Sequence, residues 1–91
     1  MNIARVGNWL SAKVGDELVM MSVESGNYVG VTEVGARIWE LIERPMAFDV
    51  LCAALEQEFE VDPVICRGEV ESFLQDLAAQ GAVVLEPAPA V

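Results

Sequence analysis

The chain of 91 residues contains no histidine, and this absence narrows the chemistry it can perform. Histidine is the side chain most often used for acid–base catalysis near neutral pH, so that work would pass to carboxylates, Lys13 or Tyr28. No serine has a recognisable partner base, which nucleophilic catalysis requires. The glycines also lack the order and the following lysine of a phosphate-binding loop. The sequence therefore predicts that the chain is not an enzyme.

Cysteine is nearly as scarce, with Cys52 and Cys66 as the only two. Neither belongs to a Cys-x-x-Cys pair, and both occupy apolar positions of predicted helices. We therefore interpret them as buried thiols and not as a disulfide. Two cysteines without any histidine supply too few ligands for zinc. We accordingly expect no metal and no cofactor.

Basic residues are also few, with five against fifteen acidic ones and a formal net charge of −10. Affinity for nucleic acids comes largely from Lys and Arg, so phosphate backbones should repel such a domain. The charge would attract basic segments or simply confer solubility, and the composition leaves both open.

Long apolar runs are missing as well, and the N-terminus carries no signal-peptide pattern. We expect a cytoplasmic protein with neither a membrane nor a nucleic-acid partner. Apolar residues still make up 54% of the chain, which is enough for a core. The length predicts one domain over 1–91, with a core at about 9–85 and a flexible tail at 86–91.

Three strands are predicted in the first third of the chain. Residues 9–13 alternate weakly, residues 17–23 are rich in β-formers, and residues 28–31 return after a turn at 25–27. Residues 1–8 are expected to form a loose arm, and residues 82–85 could form a short closing strand.

Three helices follow these strands. Thr32 is a candidate N-cap because its hydroxyl can accept a bond from a free amide, and Pro45 ends the first helix. A second apolar stripe runs over residues 48–59. Asp62 followed by Pro63 marks the start of the third helix, and Gly81 marks its end. The predicted fold is α+β, a winged helix-turn-helix with a three-stranded antiparallel sheet followed by three helices.

A winged helix often reads DNA through its third helix, but here that helix carries Arg67 as its single basic residue. A transcriptional regulator or an acidic protein-interaction scaffold is therefore the alternative function. The favoured function is capture of an extended peptide, because an edge strand exposes unpaired amides and carbonyls. A Val29→Pro substitution should then abolish binding while the domain stays mostly folded.

The peptide-binding residues expected on the edge strand are Tyr28, Val29, Gly30 and Val31. The neighbouring third helix would supply an apolar floor and a polar rim from Val70, Leu74, Arg67 and Glu71. The plainer alternative is that Val70 and Leu74 belong to the core and that Tyr28 packs on the sheet.

Two segments resemble a known family. The first is Thr32-Glu33-Val34-Gly35-Ala36-Arg37-Ile38-Trp39-Glu40-Leu41-Ile42, preceded by Tyr28, and the second runs over residues 69–77 and is followed by Gly81. Over roughly residues 9–85 the chain resembles the PqqD-like family. These are precursor-recognition domains of ribosomally synthesised and post-translationally modified peptides (RiPPs), including the stand-alone recognition proteins of lasso-peptide systems.

The resemblance implies a winged helix-turn-helix that binds a precursor's leader between the third strand and the third helix. It also implies delivery of that precursor to a separate modifying enzyme, either a leader peptidase or a radical enzyme. Gly30-Val31 stand where the family usually has Leu-Asn, and Glu43-Arg44-Pro45 replace an Asp-Gly. The sequence leaves the oligomeric state open, and an exposed apolar strand could pair two copies into a homodimer.

Overall fold

The computed structural model describes residues 1–86 as two antiparallel sheets and three helices. The strands are β1 (Asn2–Arg5), β2 (Trp9–Val14), β3 (Glu17–Ser22), β4 (Tyr28–Val31), β5 (Met46–Ala47) and β6 (Val83–Glu86). The helices are α1 (Glu33–Leu41), α2 (Phe48–Phe59) and α3 (Pro63–Ala79). One sheet has the order β2-β3-β4 and the other β5-β1-β6. The α+β class is confirmed, the expectation of one sheet ahead of the helices is wrong, and the winged helix-turn-helix arrangement stays a prediction.

The second sheet arises from residues expected to be a loose arm. In β1, Ile3 is fully buried, and the strand pairs with β5 on one side and β6 on the other. The Arg5 guanidinium donates to the backbone carbonyl of Trp39 and lies 4.0 Å from the centre of its ring. This strand has one buried apolar residue and takes its partners from distant segments, so local patterning could not reveal it. Glu86 lies in β6 and not in a tail, while residues 87–91 of the predicted tail lie outside the described residues.

The three strands predicted between residues 9 and 31 are confirmed as β2, β3 and β4. Side chains alternate across this sheet, so Leu18, Met20 and Ser22 face the core. Val19 and Met21 lie on the opposite face and are half-buried.

The helix boundaries follow the predicted caps. The Asp62 carboxylate accepts bonds from the amides of Val64 and Ile65, and Gly81 adopts a φ of +77° just after α3. Thr32 occupies the N-cap position of α1, but its side chain makes no capping hydrogen bond. Helix α1 therefore starts after the extended backbone of Thr32, as predicted, but without the expected hydroxyl hydrogen bond.

The core lies between the β2-β3-β4 sheet and the helices. Its largest fully buried side chains are Ile3, Met20, Ile38, Ile42, Leu51, Leu55, Leu74 and Leu77. Cys52 and Cys66 are free, buried thiols, as predicted. Burial raises the pKa of the Cys52 thiol to about 11, with a smaller contribution from neighbouring Cys66.

Candidate functional site

Strand β4 lies at the edge of its sheet. Within residues 1–86 it pairs with β3 alone, so one side of its backbone has no strand partner. An unpaired edge of this kind is a template for a further strand. The predicted edge position of residues 28–31 is confirmed.

The hydrogen bonds of β3 show which backbone groups of β4 are free. The Ser22 amide donates to the Asn27 carbonyl, whereas the Val23 amide donates to the Asn8 carbonyl, each at 2.9 Å. Bonding direction alternates along an antiparallel strand, so even-numbered residues of β3 bond β4 and odd-numbered ones bond β2. In the β3–β4 register, Met20 faces Val29 and Leu18 faces Val31.

Val29 and Val31 therefore direct their amides and carbonyls at β3. Tyr28 and Gly30 direct theirs away from the sheet, to the open edge. Both are exposed, with Tyr28 at 71% of its full surface. The Val29 amide bonds β3, so the Val29→Pro substitution expected from the sequence would disturb the sheet itself. The substitution that removes a free amide of the edge is at Gly30.

A groove of about 320 Å³ runs between β4 and α3. Its β4 wall consists of Val29, Gly30 and Val31. Its helix wall consists of Phe73, Asp76, Leu77, Ala79 and Gln80. A strand added to β4 would lie in this groove, with alternate side chains against α3.

The predicted helix residues do not line this groove. Val70 and Leu74 are 2% and 0% exposed, so both belong to the core. Val70 also lines the apolar cavity beside the groove, and whether either residue contacts a ligand stays a prediction. The Arg67 guanidinium binds the Asp49 carboxylate at 2.9 Å and faces α2. Glu71 is exposed, and whether it contacts a ligand stays a prediction.

Phe73, Asp76 and Gln80 were missed because sequence periodicity does not say which flank of a helix faces the sheet. Their spacing of three and four residues does place them on one side of α3. Arg67 and Glu71 are also four residues apart, so both flanks offered an equally good pattern. Only the packing of α3 against α2 and β6 distinguishes them.

A second, more enclosed cavity of about 150 Å³ adjoins the groove. It is mainly apolar, with Val34, Ile38, Leu55, Val61, Val70 and Phe73 among its lining residues. Phe73 lines both cavities, so they meet at its ring. Gly35 allows this arrangement, because a Cβ built there would lie only 3.0 Å from the Phe73 ring.

A third cavity, of about 420 Å³, is a polar cleft between the β2–β3 hairpin and α1. Ion pairs cross it. Arg37 binds Glu58 at 2.8 Å and Glu40 at 3.1 Å, and Lys13 lies 3.7 Å from Glu40. These charged side chains bind one another, so their position in the cleft needs no ligand to explain it. No group of three potential metal ligands occurs in the described part of the chain.

The outer face of the β2-β3-β4 sheet is apolar and open. One cross-strand row contains Leu10, Met21 and Tyr28, and the next contains Ala12, Val19 and Gly30. Leu10 is 57% exposed. This outer sheet face continues directly into the β4 edge, because Tyr28 and Gly30 belong to both.

Among residues 1–86, no helix combines the length and apolar character needed to span a membrane.

The protein-family model described as coenzyme PQQ synthesis protein D (PqqD) matches residues 17–83. No curated protein gives a significant match.

Two solved structures are similar in fold. The first is TbiB1 in complex with the TbiA(beta) leader peptide, with a TM-score of 0.80 and 27% identity, covering 93% of this chain and 99% of that one. The second is a lasso peptide synthetase B1 complexed with the leader peptide. It has a TM-score of 0.77 and 16% identity, and the match covers 91% of this chain and 98% of that one. At that lower identity the second match shows the fold alone.

Proposed function

The chain belongs to the PqqD family, and we propose that it binds the leader region of a ribosomally synthesised precursor peptide as a strand added to β4. The observation that carries this proposal is the open β4 edge, which adjoins the groove beside α3 and where, within residues 1–86, the backbone groups of Tyr28 and Gly30 have no strand partner. TbiB1, which shares this fold, was solved with a leader peptide. We place this role in RiPP biosynthesis, with lasso-peptide systems as one example.

The available contacts are sufficient for useful affinity. Two free amides and two free carbonyls can form four hydrogen bonds, each contributing about 0.5–1.5 kcal/mol net. Burial of one large apolar side chain adds about 1.5–3 kcal/mol. Together these contacts supply about 3.5–9 kcal/mol before the cost of ordering the peptide. Only the upper end of that range reaches the micromolar scale, so further side-chain contacts in the groove must offset the ordering cost.

The proposal assigns no catalytic step to this chain. Among the described residues, the groove and its adjoining cavity contain two carboxylates, Asp76 and Glu69, and no lysine, tyrosine or histidine to exchange a proton with them. We propose that one domain, spanning residues 1–91, presents the bound precursor to a separate leader peptidase or radical enzyme. The buried free thiols suit a reducing compartment, so we place this step in the cytoplasm.

The outer sheet face is the proposed contact for that enzyme. A strand added to β4 extends the same sheet, so its outward side chains would continue the rows through Leu10, Met21 and Tyr28. An enzyme resting on this face would contact recognition protein and leader together. A homodimer through the same face is the competing outcome.

An NMR titration with the leader of the cognate precursor tests the binding mode. The amides of Tyr28 and Gly30 should gain protection from hydrogen exchange, because only they acquire a partner. The amides of Val29 and Val31 should already be protected in the free protein. Protection confined to residues outside β4 and α3 would contradict the proposal.

The enzyme contact is tested with Leu10→Glu, which places a charge on the outer sheet face. Leader binding should persist, while co-purification with the neighbouring peptidase or radical enzyme is lost. Val64→Glu is the matched control, because Val64 is exposed on α3 away from this face. Equal loss in both variants would refute the assignment. Sedimentation of the free chain distinguishes the homodimer.

A further inference from the structure

Two acidic residues flank the apolar part of the groove and favour one class of peptide sequence. This inference rests on the strand-addition function proposed above. Glu69 lines the apolar cavity and Asp76 lines the groove, on either side of Phe73, which lines both. Glu69 and Asp76 form no ion pair with any residue of the described range 1–86. The groove therefore has an acidic group on each side of an apolar opening.

Nearby basic residues do not neutralise this pattern. Lys13 and Arg37 bind Glu40 and Glu58, and Arg67 binds Asp49. Arg5 is held against Trp39. With a net charge of −10 on the chain, the free acids of the groove favour a cationic ligand.

The direction of the groove sets the spacing. Residues 29–31 share one cavity with residues 76–80, and Thr32 shares the other with Cys66 and Glu69. Thus β4 and α3 run antiparallel along the groove, and a strand added to β4 follows the α3 axis.

Along that axis, Glu69 precedes Phe73 by about 6 Å and Asp76 follows it by about 4.5 Å. In the added strand, residues two positions apart lie on the same face and about 6.6 Å apart. A side chain opposite Phe73 therefore has same-face neighbours close to Glu69 and Asp76. The long side chains of Lys and Arg can span the small difference between the spacing of about 6.6 Å in the strand and the spacings of about 6 and about 4.5 Å along α3.

The apolar cavity sets the central residue. Its volume, about 150 Å³, is of the size at which an apolar cavity accepts a benzene-sized group. Leucine or phenylalanine would fill it. We propose that the groove selects a leader segment of the form basic-x-apolar-x-basic, with the apolar side chain in this cavity and the basic ones at Glu69 and Asp76.

Short synthetic peptides, identical outside this motif, test the proposal by calorimetry at about 0.05 M salt. They carry Lys-x-Leu-x-Lys, Gln-x-Leu-x-Gln, Glu-x-Leu-x-Glu or Lys-x-Ser-x-Lys. The lysine peptide should bind about two- to thirtyfold more tightly than the glutamine peptide, as two exposed ion pairs allow, and the glutamate peptide should bind most weakly. Replacing leucine by serine should weaken binding about tenfold or more. The preference for lysine should shrink at about 0.5 M salt.

The protein variant is Glu69→Gln with Asp76→Asn, which should abolish the preference for lysine without weakening the glutamine peptide. The control, Glu43→Gln with Glu86→Gln, removes the same net charge at exposed positions elsewhere. If the control removes the preference equally, or lysine and glutamine peptides bind alike, the charge pattern is refuted. If the serine peptide binds as well as the leucine peptide, the apolar anchor is refuted.

Amide shifts at Tyr28 and Gly30, recorded with the same peptides, separate this proposal from the function on which it rests. Shifts there without any sequence preference leave strand addition standing and overturn the motif. If all four peptides leave Tyr28 and Gly30 unchanged, the motif is overturned, and the titration with the precursor leader alone decides whether strand addition stands.

Discussion

Removal of a single backbone amide should decide whether β4 is the peptide-binding edge. Gly30→Pro deletes the amide that faces the open side of the strand, while the Val29 and Val31 amides still bond β3. Proline is tolerated at an edge when its missing N–H faced solvent. A Cβ at position 30 would meet no atom within 4 Å, so the added ring has space.

The expected loss of affinity is about tenfold or more. One hydrogen bond contributes about 0.5–1.5 kcal/mol net, and the bound peptide's carbonyl is also left without a donor, which costs about 1–3 kcal/mol if it is buried. Because 1.4 kcal/mol is a factor of about ten, the combined effect lies well above the error of a calorimetric titration.

Two variants serve as controls for Gly30→Pro. Gly30→Ala adds the Cβ but keeps the amide, so leader affinity should stay within about twofold. Val29→Pro removes an amide that bonds β3 and leaves a carbonyl of the ladder unsatisfied. It should lower the free energy of unfolding by about 1–3 kcal/mol, measured by urea denaturation. The edge assignment is refuted if Gly30→Pro binds the leader normally, or if it unfolds the protein while Val29→Pro does not.

Three further predictions concern the core and the helices. Gly35→Ala should destabilise the protein by about 1–2 kcal/mol in urea unfolding, because the new methyl group meets the Phe73 ring at 3.0 Å and the Val31 Cβ at 3.1 Å, and this outweighs the gain in helix propensity. Phe73→Leu in the same chain should recover the part of that loss caused by the ring, and an unchanged deficit would rule out the ring contact. Gly68→Ala should instead stabilise by about 0.5–1 kcal/mol, because its Cβ meets open space inside α3, and a loss of stability would reveal a contact there. Finally, the free energy of unfolding should fall between about pH 9 and 11, because folded Cys52, with its pKa raised to about 11, keeps a proton that the unfolded chain releases. Cys52→Ala should flatten that slope, and an identical slope in both proteins would contradict the assignment.

Local patterns determined most of the secondary structure. Asp62 and Pro63 start α3, and Gly81 ends it. These signals can be read from sequence because caps act on backbone groups only a few residues away. The strand at residues 28–31 was also determined locally, by an apolar segment between a turn and a helix start. Composition alone pointed away from catalysis and nucleic acid, and two motif segments indicated the PqqD family.

Only the tertiary structure decided which surfaces face the groove. The strand β1 could not be foreseen, because its partners lie more than forty residues away in β5 and about eighty away in β6. The choice of Tyr28 and Gly30 as the free backbone groups depends on the register with β3, which is set by pairing in space. A slip of one residue would exchange the bonded and free groups of β4 and turn its side chains to the opposite face. Phe73 and Asp76 face β4, while Arg67 turns to Asp49, because the packing of α3 against α2 sets its rotation. A helix has several similar flanks in sequence, and its neighbours in space select the one that faces the ligand.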